Sequence, residues 1–168
     1  MPTKVKRPRQ FRLGDASLDA KRQLELQQIH LPPRPKSDVP DLPEDPTELD
    51  DGPLMRLFTQ MTRWADYLEA QLACAEVDER WSESHVERLR AVAALRSDAK
   101  SVTAQKAAAH DDPEFNEARE RFQDAHAYRK LVEVVARAVD RDSKLLSREL
   151  TRRVGRDPQE RRADRWVT

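Results

Sequence analysis

The sequence predicts an all-α fold: two long antiparallel helices joined by a short helical turn region, behind a disordered Pro-rich N-terminal tail. Three observations carry this. Glycine is almost absent, with 3 in 168 residues. Nine of the 11 prolines fall within the first 53 residues, which leaves two long stretches free of helix breakers. The composition is 38% hydrophobic, 37% charged and only 5% aromatic, too polar for a compact core of ordinary size but sufficient for a seam between helices. Part of that seam is expected to belong to an oligomer.

Residues 1–52 read as a disordered or extended tail built of charge blocks. Lys4, Lys6, Arg7, Arg9 and Arg12 form a basic start, and Asp38, Asp41, Glu44, Asp45, Glu48, Asp50 and Asp51 form an acidic stretch. Between them, Ser17 to His30 suits one short helix anchored weakly by Leu18, Leu24 and Ile29. The segment Leu31 to Pro46, LPPRPKSDVPDLPEDP, is restricted to extended or irregular backbone. Taken alone, such a tail buries too little apolar surface to order.

Residues 53–156 form the helical domain. Asp51-Gly52-Pro53 is a start signal, and no Pro or Gly follows until after Arg96, which predicts a helix of roughly 45 residues, on the order of 65 Å. Its seam follows 4-3 spacing through Met61, Ala65, Leu68, Leu72, Ala75, Val86, Leu89 and Ala93, with polar Glu79 and Ser82 interrupting it. Ser97 to Asp112 is the turning region, where Ser101 is placed to cap an Ala-rich helix through Val102, Ala104, Ala107 and Ala108. Asp112-Pro113-Glu114 restarts the chain, and Gly155 followed by Asp157-Pro158 marks the expected end of the last helix. Residues 157–168 are read as a short basic tail.

The last helix has two faces. Tyr128, Leu131, Val132, Val135, Val139, Leu146 and Leu150 cluster on one side. Lys130, Arg137, Arg141, Lys144, Arg148 and Arg152 fall on the other, at spacings of 7, 4, 3, 4 and 4 residues. Two readings of this stripe stand side by side. Glu133 to Arg137 and Asp140 to Lys144 are well-oriented pairs for a solvated face; alternatively, a row of cations neutralises phosphates and releases counterions. A second basic cluster, Arg88, Arg90, Arg96, Lys100 and Lys106, surrounds the turning region. Aromatic residues are scarce there, so sequence-independent phosphate contact is expected rather than base readout. Trp64, Tyr67, Trp81, Phe115, Phe122 and Tyr128 read as packing residues.

Catalytic chemistry finds no foothold in the sequence. His30, His85, His110 and His126 have no metal-ligand spacing, Cys74 has no partner cysteine, and no Gly-rich phosphate loop exists. The adjacent carboxylates Asp111 and Asp112 are read as helix caps. The expectation is a protein that is not an enzyme, with no cofactor and no metal. A lone cysteine, no signal-peptide pattern and no apolar run of membrane-spanning length imply a cytoplasmic protein with no membrane partner. The formal net charge is zero, so only the local distribution of charge speaks to partners.

Met61-Thr62-Arg63-Trp64 near the start of the first long helix, and Arg88-Leu89-Arg90 near its end, resemble the phage recombination mediators of the UvsY type. The last helix is similar too, in Tyr128-Arg129-Lys130-Leu131, in Ala138-Val139-Asp140-Arg141-Asp142, and in Leu145 to Arg153. The resemblance covers about residues 55 to 155; the long Pro-rich tail departs from it. It implies that Arg88 and Arg90 stand where a K-x-R pair contributes to binding single-stranded DNA. It also implies a homo-oligomer that works with a RecA-like recombinase and a single-strand-binding protein. The function expected is an oligomeric single-stranded-DNA-binding protein that helps load the recombinase. The alternatives are a phage structural or adaptor protein assembled through long helices, and a small regulatory protein acting through its Pro-rich segment. A DNA-packaging subunit is a weaker variant, since no helix-turn-helix precedes the long helices.

Overall fold

A computed structural model describes residues 14–96, 101, 103, 107 and 110–164. Three helices run through them, α1 (Asp15–Leu26), α2 (Asp51–Arg96) and α3 (Pro113–Asp164), with a 3-10 turn at Pro46–Glu48, and no strand occurs among the described residues. The all-α fold of two long antiparallel helices is thus the observed one. The start of α2 at Asp51 and of α3 at Pro113 follow the two cap-plus-proline signals. At α3 the Asp112 carboxylate accepts the Glu114 amide at 2.8 Å, satisfying one of the unpaired N–H groups of a first helical turn. The Ala-rich helix expected at Val102, Ala104 and Ala108 lies largely outside the described residues.

The end of α3 corrects the expectation. The helix runs through Gly155 and Pro158 to Asp164. A glycine stops a helix when it adopts the left-handed conformation, and no described glycine has a positive φ. A lone glycine and a lone proline cost roughly 1 and 3 kcal/mol in a helix interior, which the strong helix formers around them tolerate.

Two compact units divide the chain: Met1–Ile29 with Cys74–Ala125, and His30–Ala73 with His126–Thr168. In the first unit, Val86 and Ala93 of α2 pack on Phe115 and Ala118 of α3, with Leu89 and Phe122 alongside. The helix α1 is held in this unit by an unusual cap. Gly14 and Ser17 donate their amides to the Asp78 carboxylate, each at 3.0 Å, and the buried Ser17 hydroxyl donates to it at 2.8 Å. A Cβ at position 14 would lie 2.9 Å from Asp78 Oδ1 and push that carboxylate aside, so glycine is favoured by close approach rather than by its φ. Asp78 stands beside Glu79 and Ser82, the polar break in the α2 seam.

In the second unit, Leu54, Met61 and Trp64 of α2 meet Val139 and Leu146 of α3. The Thr62 and Ser143 hydroxyls lie 3.4 Å apart across the same pair. The Pro-rich segment is irregular up to the 3-10 turn, with bends at Lys36-Ser37 and Glu44, and it is not alone. Leu42 and Leu49 pack on the core, Pro46 is buried, and the Trp64 indole N–H donates to the Asp38 carbonyl at 3.1 Å. The Arg34 guanidinium lies over the Trp64 ring, 5.9 Å from its centroid. Disorder, expected for the tail as an isolated segment, is countered over 31–50 by this borrowed core.

The apolar face of α3 also needs correction. Val139 and Leu146 are buried and Val132 and Leu150 half-buried, but Leu131 is 68% and Val135 46% exposed. Cover follows the seven-residue column Val132, Val139, Leu146, with Leu150 beside it; Leu131 sits about 100° away from Val132 on the helix and escapes it.

Two expectations follow. Leu146→Ala should destabilise the protein by about 2–5 kcal/mol through the cavity it leaves, whereas Met55→Ala, at a half-exposed position, should stay within about 0.5 kcal/mol; urea melts decide. Asp78→Ala should accelerate amide exchange across residues 15–26 while amides near Leu146 keep their protection. Equal loss at both places would mean that the carboxylate does not specifically hold α1.

Candidate nucleic-acid interface

The first basic patch lies on α2 in the unit that contains Phe115. Arg88 is exposed and makes no ion pair among the described residues; the same holds for Arg80, about two helical turns away. Together with Trp81, Ser84, Glu87 and Ala91 they line a shallow open groove. The Trp81 ring is 44% exposed, and the His85 imidazole stacks on it with centroids 5.5 Å apart and planes 18° from parallel. This is not a packing residue of the helix seam. Trp81 stands one position before the seam residue Ser82, which turns it about 100° outward. That offset is visible in the sequence itself.

Arg88 and Arg90 are two residues apart and therefore point to different sides of the helix. Arg90 is exposed but lies beside the packed side, its guanidinium over the Phe115 ring at 5.9 Å from the centroid. Of the pair, Arg88 is the one directed at the groove. Arg96 is the exposed last residue of α2. Lys100 and Lys106 lie outside the described residues.

The second patch, on α3 in the other unit, is a row of cations whose members are mostly engaged. Glu133 accepts from Arg129 at 2.9 Å, pairs with Lys130 at 3.6 Å and contacts Arg137 closely. Partial burial pushes the Glu133 carboxyl up, but the charges of Arg137, Lys130 and Arg129 outweigh it and hold it below its ordinary range. Lys144 reaches Asp140 at 2.6 Å and Arg141 its neighbour Asp142 at 3.3 Å. Arg148 makes no ion pair among the described residues. The stripe has the local pairing of a solvated face along most of its length.

Its C-terminal end is a network that the sequence-based expectations do not contain. Glu149, 7% exposed, accepts from Arg152 at 2.6 and 2.7 Å and from Arg153 at 2.8 Å. Arg153 continues to Asp51 at 2.7 Å and to the Thr47 carbonyl at 3.0 Å, tying the start of α2 to α3. The hydrogen bonds from Arg152 and then Arg153 hold the Glu149 carboxyl at about 2, against an ordinary 4.5. The signal is present as Glu-x-x-Arg-Arg, whose (i, i+3) and (i, i+4) spacing puts both guanidinium groups beside one carboxylate. Arg152 is therefore committed to a structural pair.

No group of three or more His, Cys, Asp or Glu side chains is placed to hold a metal ion among the described residues. Cys74 is a buried free thiol. No helix among the described residues is long and apolar enough to cross a membrane. No family model, curated protein or solved structure matches this chain.

The Glu149 network sets a pH signature. A carboxyl whose folded pKa lies below its unfolded one stabilises the fold fully above about pH 4.5 and loses that contribution as pH falls towards 2. Glu149→Gln should therefore lower the melting temperature at pH 7, and the gap to the parent should narrow between pH 4.5 and 2. A gap that is independent of pH would assign the loss to packing.

Proposed function

We propose that the protein is a non-enzymatic, oligomeric helical protein that binds single-stranded DNA through the α2 face carrying Arg80, Trp81 and Arg88. The single observation that carries this reading is an exposed Trp81 ring beside Arg88, a guanidinium with no ion pair among the described residues. A strand offers flexible phosphates to the cation and unpaired bases to the ring. Stacking on one aromatic side chain contributes about 1–3 kcal/mol per base and tolerates any base. Neutralised phosphates add a salt-dependent term. Arg88 thus takes the leading role within the basic set, Arg96 lies further along the same helix, and Arg148 offers a contact on α3. Lys130, Arg137, Arg141, Lys144 and Arg152 must give up local acids before they meet phosphate.

The resemblance to recombination mediators supplies the biological setting. In it, several copies present the groove repeatedly to one strand in the cytoplasm, displace a single-strand-binding protein and hand the strand to a RecA-like recombinase. Repetition raises avidity beyond one weak site. A second reading, a structural or adaptor protein without DNA binding, is favoured by the engaged cations of α3 together with its exposed apolar residues.

Fluorescence anisotropy with a labelled oligo-dT, titrated against salt, separates the two. Binding should be micromolar or tighter at low salt and weaken steeply as salt rises. Trp81→Ala should cost about 5- to 150-fold in affinity, the equivalent of one stacked base. Arg88→Gln should flatten the log–log salt slope by about 0.7 for each phosphate that is no longer neutralised. Absence of binding at low salt overturns the DNA reading and leaves the adaptor.

A further inference from the structure

The exposed side of α3 carries a row of apolar residues centred on the half-buried Ala138. Leu131 and Leu145, 68% and 43% exposed, stand seven residues to either side of Ala138, and Val134 and Val135, 66% and 46% exposed, flank them. Scattered apolar residues on a surface are ordinary, whereas a row at seven-residue spacing on one helix is the pattern of a helix seam. This row is additional to the seam already used, since Val132, Val139 and Leu146 form the neighbouring column that faces α2 or borders it.

We infer that this row is the contact between two copies of the chain, joined by an antiparallel, two-fold pairing of their α3 helices centred near Ala138. Two features select a second copy in this orientation. The pattern Leu131, Ala138, Leu145 reads the same in both directions, so a two-fold axis at Ala138 sets Leu131 of each copy against Leu145 of the other. The small side chains of the two Ala138 residues then let the helix backbones approach at the axis. Charge selects the same arrangement. In a parallel, in-register pair, Arg141 and Arg148 would face their own copies, stacking like charges along the seam. The antiparallel pair instead sets Arg141 near Val135 and Arg148 near Tyr128 of the other copy, where the long side chains lay their methylenes on apolar neighbours and keep their charges in water. The two-fold pairing is closed, so it yields a dimer as the unit from which any larger assembly is built.

This inference rests on the oligomeric part of the function proposed above and not on its DNA-binding part. Cysteine cross-linking of the full-length chain tests it, in a Cys74→Ala background. Ala138→Cys should cross-link to itself. Leu131→Cys alone should not, because the two thiols would lie on the order of 20 Å apart along the helix axes. A mixture of the Leu131→Cys and Leu145→Cys chains should form the mixed cross-link. Light scattering should give a dimer or a multiple of it, and Leu131→Glu should weaken association about a hundredfold while circular dichroism keeps its helical signal. Arg88→Gln, whatever it does to DNA binding, should leave the dimer intact. A monomeric mass, efficient self-linking of Leu131→Cys, or a dimer indifferent to Leu131→Glu would each overturn the inference.

Discussion

Long slender helices have little to hold them but one another. In this chain the packed surface is a narrow seam, Met61 and Trp64 with Leu57, Phe58, Ala65 and Leu68 alongside against Val139 and Leu146 in one unit, Val86 and Ala93 against Phe115 and Ala118 in the other. A narrow stripe buries little, and hydrophobic stabilisation scales with area at about 25 cal/mol per Å². The remaining elements widen it. The Pro-rich segment lays Leu42, Pro46 and Leu49 along one unit, and Arg153 clips that segment to α3. In the other unit α1 is fastened at Asp78. Sequence that looks expendable by composition is thus part of how the helices stay together.

The same constraint divides the cations. Residues on the flank of the seam find acids within one helical turn, and Glu133, Asp140 and Glu149 engage Arg129, Lys130, Arg137, Lys144, Arg152 and Arg153. The exposed pair of Asp140 with Lys144 contributes about 0–1 kcal/mol, so it is replaceable and solvent can reach it. Glu149 differs in being buried and bound by two guanidinium groups. Arg80, Arg88, Arg96 and Arg148 make no such pair among the described residues, so their charge is open to a partner.

Much of this is legible in the sequence. Both helix starts are written in Asp-x-Pro and Asp-Pro signals, and the long runs without Pro or Gly mark the helices between them. Where structure and sequence part, the reasons are definite. Gly155 looks like a stop, yet a stop depends on the conformation the glycine takes rather than on its presence. A helical wheel puts Leu131 and Val135 on the buried face because it shows which residues are apolar, not how wide the partner is. Trp81 resembles the packing aromatics by type, although its position just off the seam points outward. The Asp78 cap is out of reach altogether, since nothing local to Gly14 or Ser17 announces a carboxylate some sixty residues away.

That cap has a consequence for how the molecule comes into being. The start of α1 carries no side-chain cap of its own, and a helix of 12 residues is marginal in water by itself. Its first turn is completed only when residue 78 is already in place on α2. The group that completes α1 therefore lies in a stretch of chain made after it, and residues 15–26 are capped only once that stretch is in place. A nascent chain cut short before Asp78 carries the whole of α1 in its sequence and lacks the group that would order it.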